Sequence, residues 1–142
     1  MVGIILASHG SLAAGLLDAA TMIVGPQDGV VTLALSPEDD PGELAERLRE
    51  LLPAPGGGGA LILTDLFGAS PANAAARLVR DRSDVEIVAG MSLPLLLEVL
   101  MARETASAQE LASHALNAGR EGVRDVGAAV RDALQSRHPE QG

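Results

Sequence analysis

The stretch "SHGS", Ser8 to Ser11, sets an imidazole and a hydroxyl on either side of a glycine, directly after the apolar run "VGIILA" from Val2 to Ala7. A neutral histidine at such an exit offers a ring nitrogen as nucleophile, general base or metal ligand. The reading without chemistry is a half-buried histidine that caps a turn, and on residue type alone both stand. Further along, "TDLFGASP" supplies Asp65 and Ser70. A carboxylate at the equivalent strand end would accept Nδ1–H of His9, fix the tautomer and turn the Nε2 lone pair outward. The plain alternative for Asp65 is a turn-forming residue. Gly10 lets a substrate approach the backbone closely. Ser11 reads as the N-cap of a helix whose free N–H groups and positive dipole end favour an anion. Ser70, before Pro71, also reads as an N-cap, and its hydroxyl with the amides behind it suits phosphoryl oxygens. The other histidines, His114 in a polar helical segment and His138 in the tail, read as solvated.

These groups need elements to hold them. Apolar runs bounded by turn residues alternate with helical periodicity, the pattern of a parallel sheet covered on both faces. Strands are expected over Val2–Ala7, Gly29–Leu35, Ala60–Leu66 and Val85–Met91. Between them, "LLDAATMIVG" repeats apolar residues at helical spacing and stops at Gly25-Pro26. "SPEDDPGELAERLRELL" opens on caps and Pro41 and then sets Leu44, Leu48, Leu51 and Leu52 on one face. "SPANAAARLVRD" and "LPLLLEVLMAR" read as helices, whereas "PAPGGGG" is a connector by composition. No Gly-Lys-Ser/Thr follows that glycine run, so it is not a phosphate loop. From Ser107 a polar helix and a second amphipathic segment reach about Gln135, before a frayed tail. The expected organisation is one α/β domain over 1–135, with a doubly wound, mainly parallel four-stranded sheet, and a flexible tail over 136–142. In such sheets functional groups collect at the carboxyl ends of the strands, here "SHGS", "DLFGASP" and "GMSLP".

Composition narrows the function classes. The 142 residues carry 10 Lys plus Arg against 19 Asp plus Glu, a formal charge of −9, which argues against nucleic acid and for protein partners bearing basic groups. Phe67 is the single aromatic residue, so a stacking surface for planar rings is not expected. Without cysteine there are no disulfides or thiolate metal sites. No signal-peptide pattern and no apolar run of about 20 residues occur, so a soluble cytoplasmic chain is expected.

Taken together, "IILASHGSLAAGLLDAATMIVG", "LILTDLFGASPANAAARLV", "VAGMSLPLLLEVLMAR" and "NAGREGV" resemble, in order and spacing, the IIA domain of the mannose family of the phosphoenolpyruvate-dependent sugar phosphotransferase system. The resemblance runs up to about Arg124. It implies a phosphocarrier without cofactor or metal, in which His9 takes a phosphoryl group from the histidine phosphocarrier protein HPr and passes it to a IIB component. It also implies that Asp65 hydrogen-bonds the imidazole, that Ser70 matches the family's Gly-Ser-Pro serine, and that membrane IIC and IID components act only indirectly. The amides around Gly10 and Ser11 would then hold the phosphoryl oxygens. The family forms a homodimer with an exchanged C-terminal strand, for which "NAGREGV" is the candidate, although "VRDVGAAVRDALQS" reads as helical. Ala69 stands where glycine is common in the family, and Ala72 where a bulky apolar residue is usual.

Two rival readings compete, a chelatase that likewise begins with a strand running into "HGS" and a regulatory domain on the same fold. A small tetrapyrrole chelatase would use His9 as a metal ligand but needs a second histidine with a nearby acid, and neither is evident. A regulatory domain would keep the core without the chemistry, which the presence of His9, Asp65 and Ser70 argues against.

Overall fold

The computed structural model describes residues 1–66 and 70–137, without the side chains of Pro41, Ser70 and Pro71. Four strands, β1 (Gly3–His9), β2 (Val30–Leu35), β3 (Ala60–Thr64) and β4 (Val85–Ala89), form one parallel sheet in the order β2-β1-β3-β4. The helices are α1 (Leu12–Val24), α2 (Pro41–Leu51), α3 (Ser70–Asp81), α4 (Leu93–Ala102), α5 (Ala108–Glu121) and α6 (Val126–Ser136).

The alternation of side chains along a strand divides the core in two. Ile4, Leu6, Leu61 and Leu63 pack with Ala13, Ala20, Leu95, Leu96, Val99 and Leu111 of α1, α4 and α5. Ile5, Ala7 and Ile62 face the other way, onto Leu44, Leu48, Ala74, Ala75 and Leu78 of α2 and α3. Both faces are therefore covered, as a parallel sheet requires. The chain leaves β1 toward β2 on one side and returns past it to β3 on the other. The strand order thus reverses between β1 and β3, and such a switch point opens a crevice at the carboxyl ends of the two strands.

Caps set the helix starts. Asp40 accepts from Glu43 N at 3.2 Å, Asp125 from Ala128 N at 2.9 Å, and Ser107 with Glu110 forms a reciprocal capping box. At the opposite end of the sheet from the crevice, Arg103 is 2% exposed and donates to the carbonyls of Val2, Asp28 and Gly29. It clamps the starts of β1 and β2 to the end of α4.

Three strands end at residues other than those the sequence leads one to expect. β1 runs on through Ser8 and His9, because both residues keep register with Ala34 and Leu35 of β2. β3 stops at Thr64 rather than Leu66, and β4 at Ala89 rather than Met91. There Gly90, at φ 88°, turns the chain so that Gly90 N and Met91 N both donate to the Thr64 carbonyl. The C-terminal strand is a correction of kind. "NAGRE" completes α5, whose Ala108, Leu111 and Ala115 are buried, and a further helix follows from Val126. Helical spacing of apolar residues outweighs strand propensity over this segment, and no strand forms there among the described residues.

Candidate functional site

His9 is the last residue of β1 and Asp65 the first after β3. Because Ala7 is registered with Thr64, the next position on β3 falls beside Ser8 and His9. One carboxylate oxygen, Oδ2, accepts both from the His9 backbone N–H at 3.0 Å and from its ring Nδ1 at 2.8 Å. The other, Oδ1, accepts from Leu66 N at 2.9 Å. An ionised carboxylate only accepts, so Nδ1 carries the proton and, in the neutral ring, Nε2 holds the lone pair. The His9 side chain is 51% exposed and that of Asp65 only 10%. The carboxylate is thus the buried, orienting member of the pair and the imidazole the accessible one. Burial pushes the Asp65 carboxyl up, but the hydrogen bonds from His9 and Leu66 outweigh it and leave the group below the ordinary aspartate value.

Gly10 turns the chain out of β1 at φ 56°, a left-handed conformation that a side chain would resist, and its N–H is held by the Leu35 carbonyl at 3.1 Å, so, against the expectation, the Gly10 amide is not a free donor for phosphoryl oxygens. Ser11 follows at the N-cap position of α1, beside His9, as expected. Its role as cap is corrected: its side chain makes no cap hydrogen bond. Instead Ser8, fully buried one turn earlier on β1, accepts from Ala13 N at 2.7 Å. The sequence alone gives Ser8 no role, since it stands just past the apolar run that ends at Ala7. The available signal was a lone hydroxyl on the inward-facing parity of β1, one step before a helix. No hydrogen bond to the amides of Ser11 or Leu12 occurs among the described residues, so donors at the start of α1 remain open beside the imidazole.

α3 begins at Ser70, which brings its backbone to the end of β3, but the Ser70 side chain and Ala69 lie outside the described residues. Ala72 is described, on the first turn of α3. The third strand end, "GMSLP", lies beyond β3 from His9, and its Ser92 caps α4 by accepting from Leu95 N. His114 stands on α5, half-exposed, with Nδ1 3.1 Å from Glu98 of α4. His138 lies outside the described residues. Among the described residues no group of three or more His, Cys, Asp or Glu side chains is arranged to hold a metal ion, and no helix is long and apolar enough to cross a membrane.

The arrangement is a carboxylate-oriented imidazole, nucleophilic at Nε2, next to unfilled helix N-terminal donors that suit an anion. Comparison with known proteins gives the chain a family and a fold. The family described as the PTS system fructose IIA component matches residues 3–116. The mannose-specific EIIAB component of Escherichia coli is 38% identical over 125 residues, covering 87% of this chain and 39% of that protein. This chain therefore spans well under half the length of that relative. The sorbose-specific EIIA component of Klebsiella pneumoniae is 35% identical over 114 residues, covering 80% and 84% of the two chains. The crystal structure of an EIIA phosphotransferase component from Streptococcus agalactiae has the same fold, with a TM-score of 0.82 at 24% identity over 90% of this chain and 99% of that one.

Proposed function

The chain belongs to the mannose-type EIIA family of the sugar phosphotransferase system, and on that premise we propose that it is a phosphocarrier whose phosphoryl group resides on Nε2 of His9. The observation that carries this reading is the 2.8 Å contact between His9 Nδ1 and Asp65 Oδ2, which dictates the nucleophilic nitrogen. The donor is phosphorylated HPr and the acceptor a IIB component. Nε2 attacks phosphorus in line, the Nε2–P bond forms as the P–N bond of the donor phosphohistidine breaks, and the donor nitrogen keeps that bond's electron pair. The positive charge arising on the His9 ring is balanced by Asp65 across the Nδ1–H bond, with no proton leaving Nδ1. The Ser11 hydroxyl and the Ser11 and Leu12 amides take phosphoryl oxygens, with Gly10 supplying the turn and Ser70 a further hydroxyl. Transfer to IIB is the same step run outward.

Leu12, three residues after His9, and Leu66, next to Asp65, are 48% and 59% exposed, which suits docking of another protein. The net charge of −9 suits partners with basic groups around their own histidines. A homodimer belongs to the same proposal. Val126, Val130 and Leu134 recur at helical spacing on α6 and are 68%, 51% and 54% exposed, and an isolated helix of that length is marginal in water without a surface to cover its apolar face.

The test is intact mass after incubation with phosphoenolpyruvate, enzyme I and HPr. A single acid-labile adduct of roughly 80 Da is expected on the wild type and none on His9→Ala. An adduct of equal yield on His9→Ala overturns the assignment.

A further inference from the structure

The residue that caps α1 and the residue in the cap position are not the same, and this division of labour bears on phosphoryl transfer. In an ordinary helix start the N-cap side chain takes an amide of the first turn for itself. Here Ser11 occupies that position with φ −97° and ψ 11°, exposed and without a cap hydrogen bond. Of the two amides an N-cap side chain can take, those of Ala13 and Ala14, the first is already bound at 2.7 Å by the Ser8 hydroxyl.

Ser8 is 0% exposed, and its side chain lies on the face of β1 shared with Ile4 and Leu6, toward α1. The same hydroxyl donates to the His9 carbonyl at 3.3 Å. One buried oxygen therefore ties the backbone of the candidate phosphoacceptor to the first turn of the helix that faces it. Buried polar groups in a core are held in place by the cost of leaving them unmet, so this link fixes a distance as well as a bond.

From this we infer that Ser8 is a positioning residue for phosphoryl transfer. By capping α1 from within the sheet it keeps the Ser11 hydroxyl out of the cap, available to the phosphoryl oxygens, and holds the open amides of Ser11 and Leu12 in fixed relation to His9. The inference rests on the reading of His9 as the phosphorylated residue. Ser8 touches no reacting atom.

Removing the Ser8 hydroxyl frees the Ala13 amide, and the Ser11 hydroxyl, at the N-cap position two residues before it, is placed to take that amide and so turn away from the phosphoryl group. Ser8→Ala should slow single-turnover acceptance from phosphorylated HPr about tenfold, as loss of one oriented donor implies. Ser8→Thr keeps the hydroxyl and should restore most of that rate. Ser11→Ala in the wild-type background should slow acceptance about tenfold while leaving Tm within about a degree, since no cap is lost. In the Ser8→Ala background the same change should add less than about twofold to the rate but lower Tm by several degrees, because Ser11 has become the cap there. A purely structural Ser8 would give independent rate effects in the two backgrounds.

Acceptance by Ser8→Ala at the wild-type rate overturns the inference, as does an equal slowing by Ser11→Ala in both backgrounds. Should Ser8→Ala fail to fold, Ser11→Ala alone decides, since a drop of several degrees in its Tm would show that Ser11 is the cap after all. An adduct on wild-type His9 with either of these outcomes removes the inference and leaves the phosphocarrier reading intact. No adduct on the wild type removes both.

Discussion

Replacing Asp65 by asparagine probes the site without changing its shape. The carboxylate now serves three donors, two from His9 on Oδ2 and one from Leu66 on Oδ1. An amide has one acceptor oxygen and one NH2 group, so one side must meet N–H groups with N–H. If the oxygen stays with Leu66, the NH2 group faces His9, donates to Nδ1 and drives the ring proton to Nε2, where it blocks the nucleophile. If the oxygen turns to His9, the tautomer survives but the charge that balances the phosphorylated ring is gone. A hydrogen bond to a charged partner is worth about 1.5–3 kcal/mol. The His9 ring is 51% exposed, and solvent screening moves the value toward the lower end. At about 1.4 kcal/mol per tenfold in rate, acceptance should fall roughly 10- to 100-fold. Rapid-quench measurement of phosphoryl acceptance from phosphorylated HPr reads this directly, with circular dichroism confirming the fold. Transfer within about twofold of wild type by a folded Asp65→Asn protein would refute the claim that the carboxylate sets the reactive tautomer and balances its charge.

The Asp65 contribution to stability should also depend on pH. Its folded-state value lies below the ordinary one, so the unfolded chain takes up the proton first as pH falls. The contribution is fully present well above the ordinary aspartate value of about 4 and is lost as pH falls through the lower folded-state value. Urea denaturation of wild type and Asp65→Asn should show a constant difference near neutrality that narrows in acid, and a difference that widens there would contradict the sign. At the far end of the sheet, Arg103→Met removes a buried guanidinium that ties three backbone carbonyls together. It should cost about 2–4 kcal/mol in chemical denaturation, because those carbonyls lose their donors, while the phosphoryl acceptance of the folded fraction stays unchanged.

The sequence by itself determined the alternation of four strands with helices, the start of α3 at Ser70, the helical C-terminus and the identity of His9 and Asp65 as the groups worth pairing. These are local matters: apolar spacing, proline and glycine punctuation, and capping chemistry each act within a few residues along the chain. The tertiary structure alone decided what lay across the sheet. His9 and Asp65 are 56 residues apart, and their contact exists because the sheet reverses its winding between β1 and β3. Pairing with β2 on the other side carried β1 two residues beyond its apolar run, through Ser8 and His9. Spacing likewise named Ser11 as the cap, while the packing of α1 against the inner face of β1 gave the Ala13 amide to Ser8. A hydroxyl's partner is chosen by which donor is buried within its reach, and that is fixed only when strand and helix have packed.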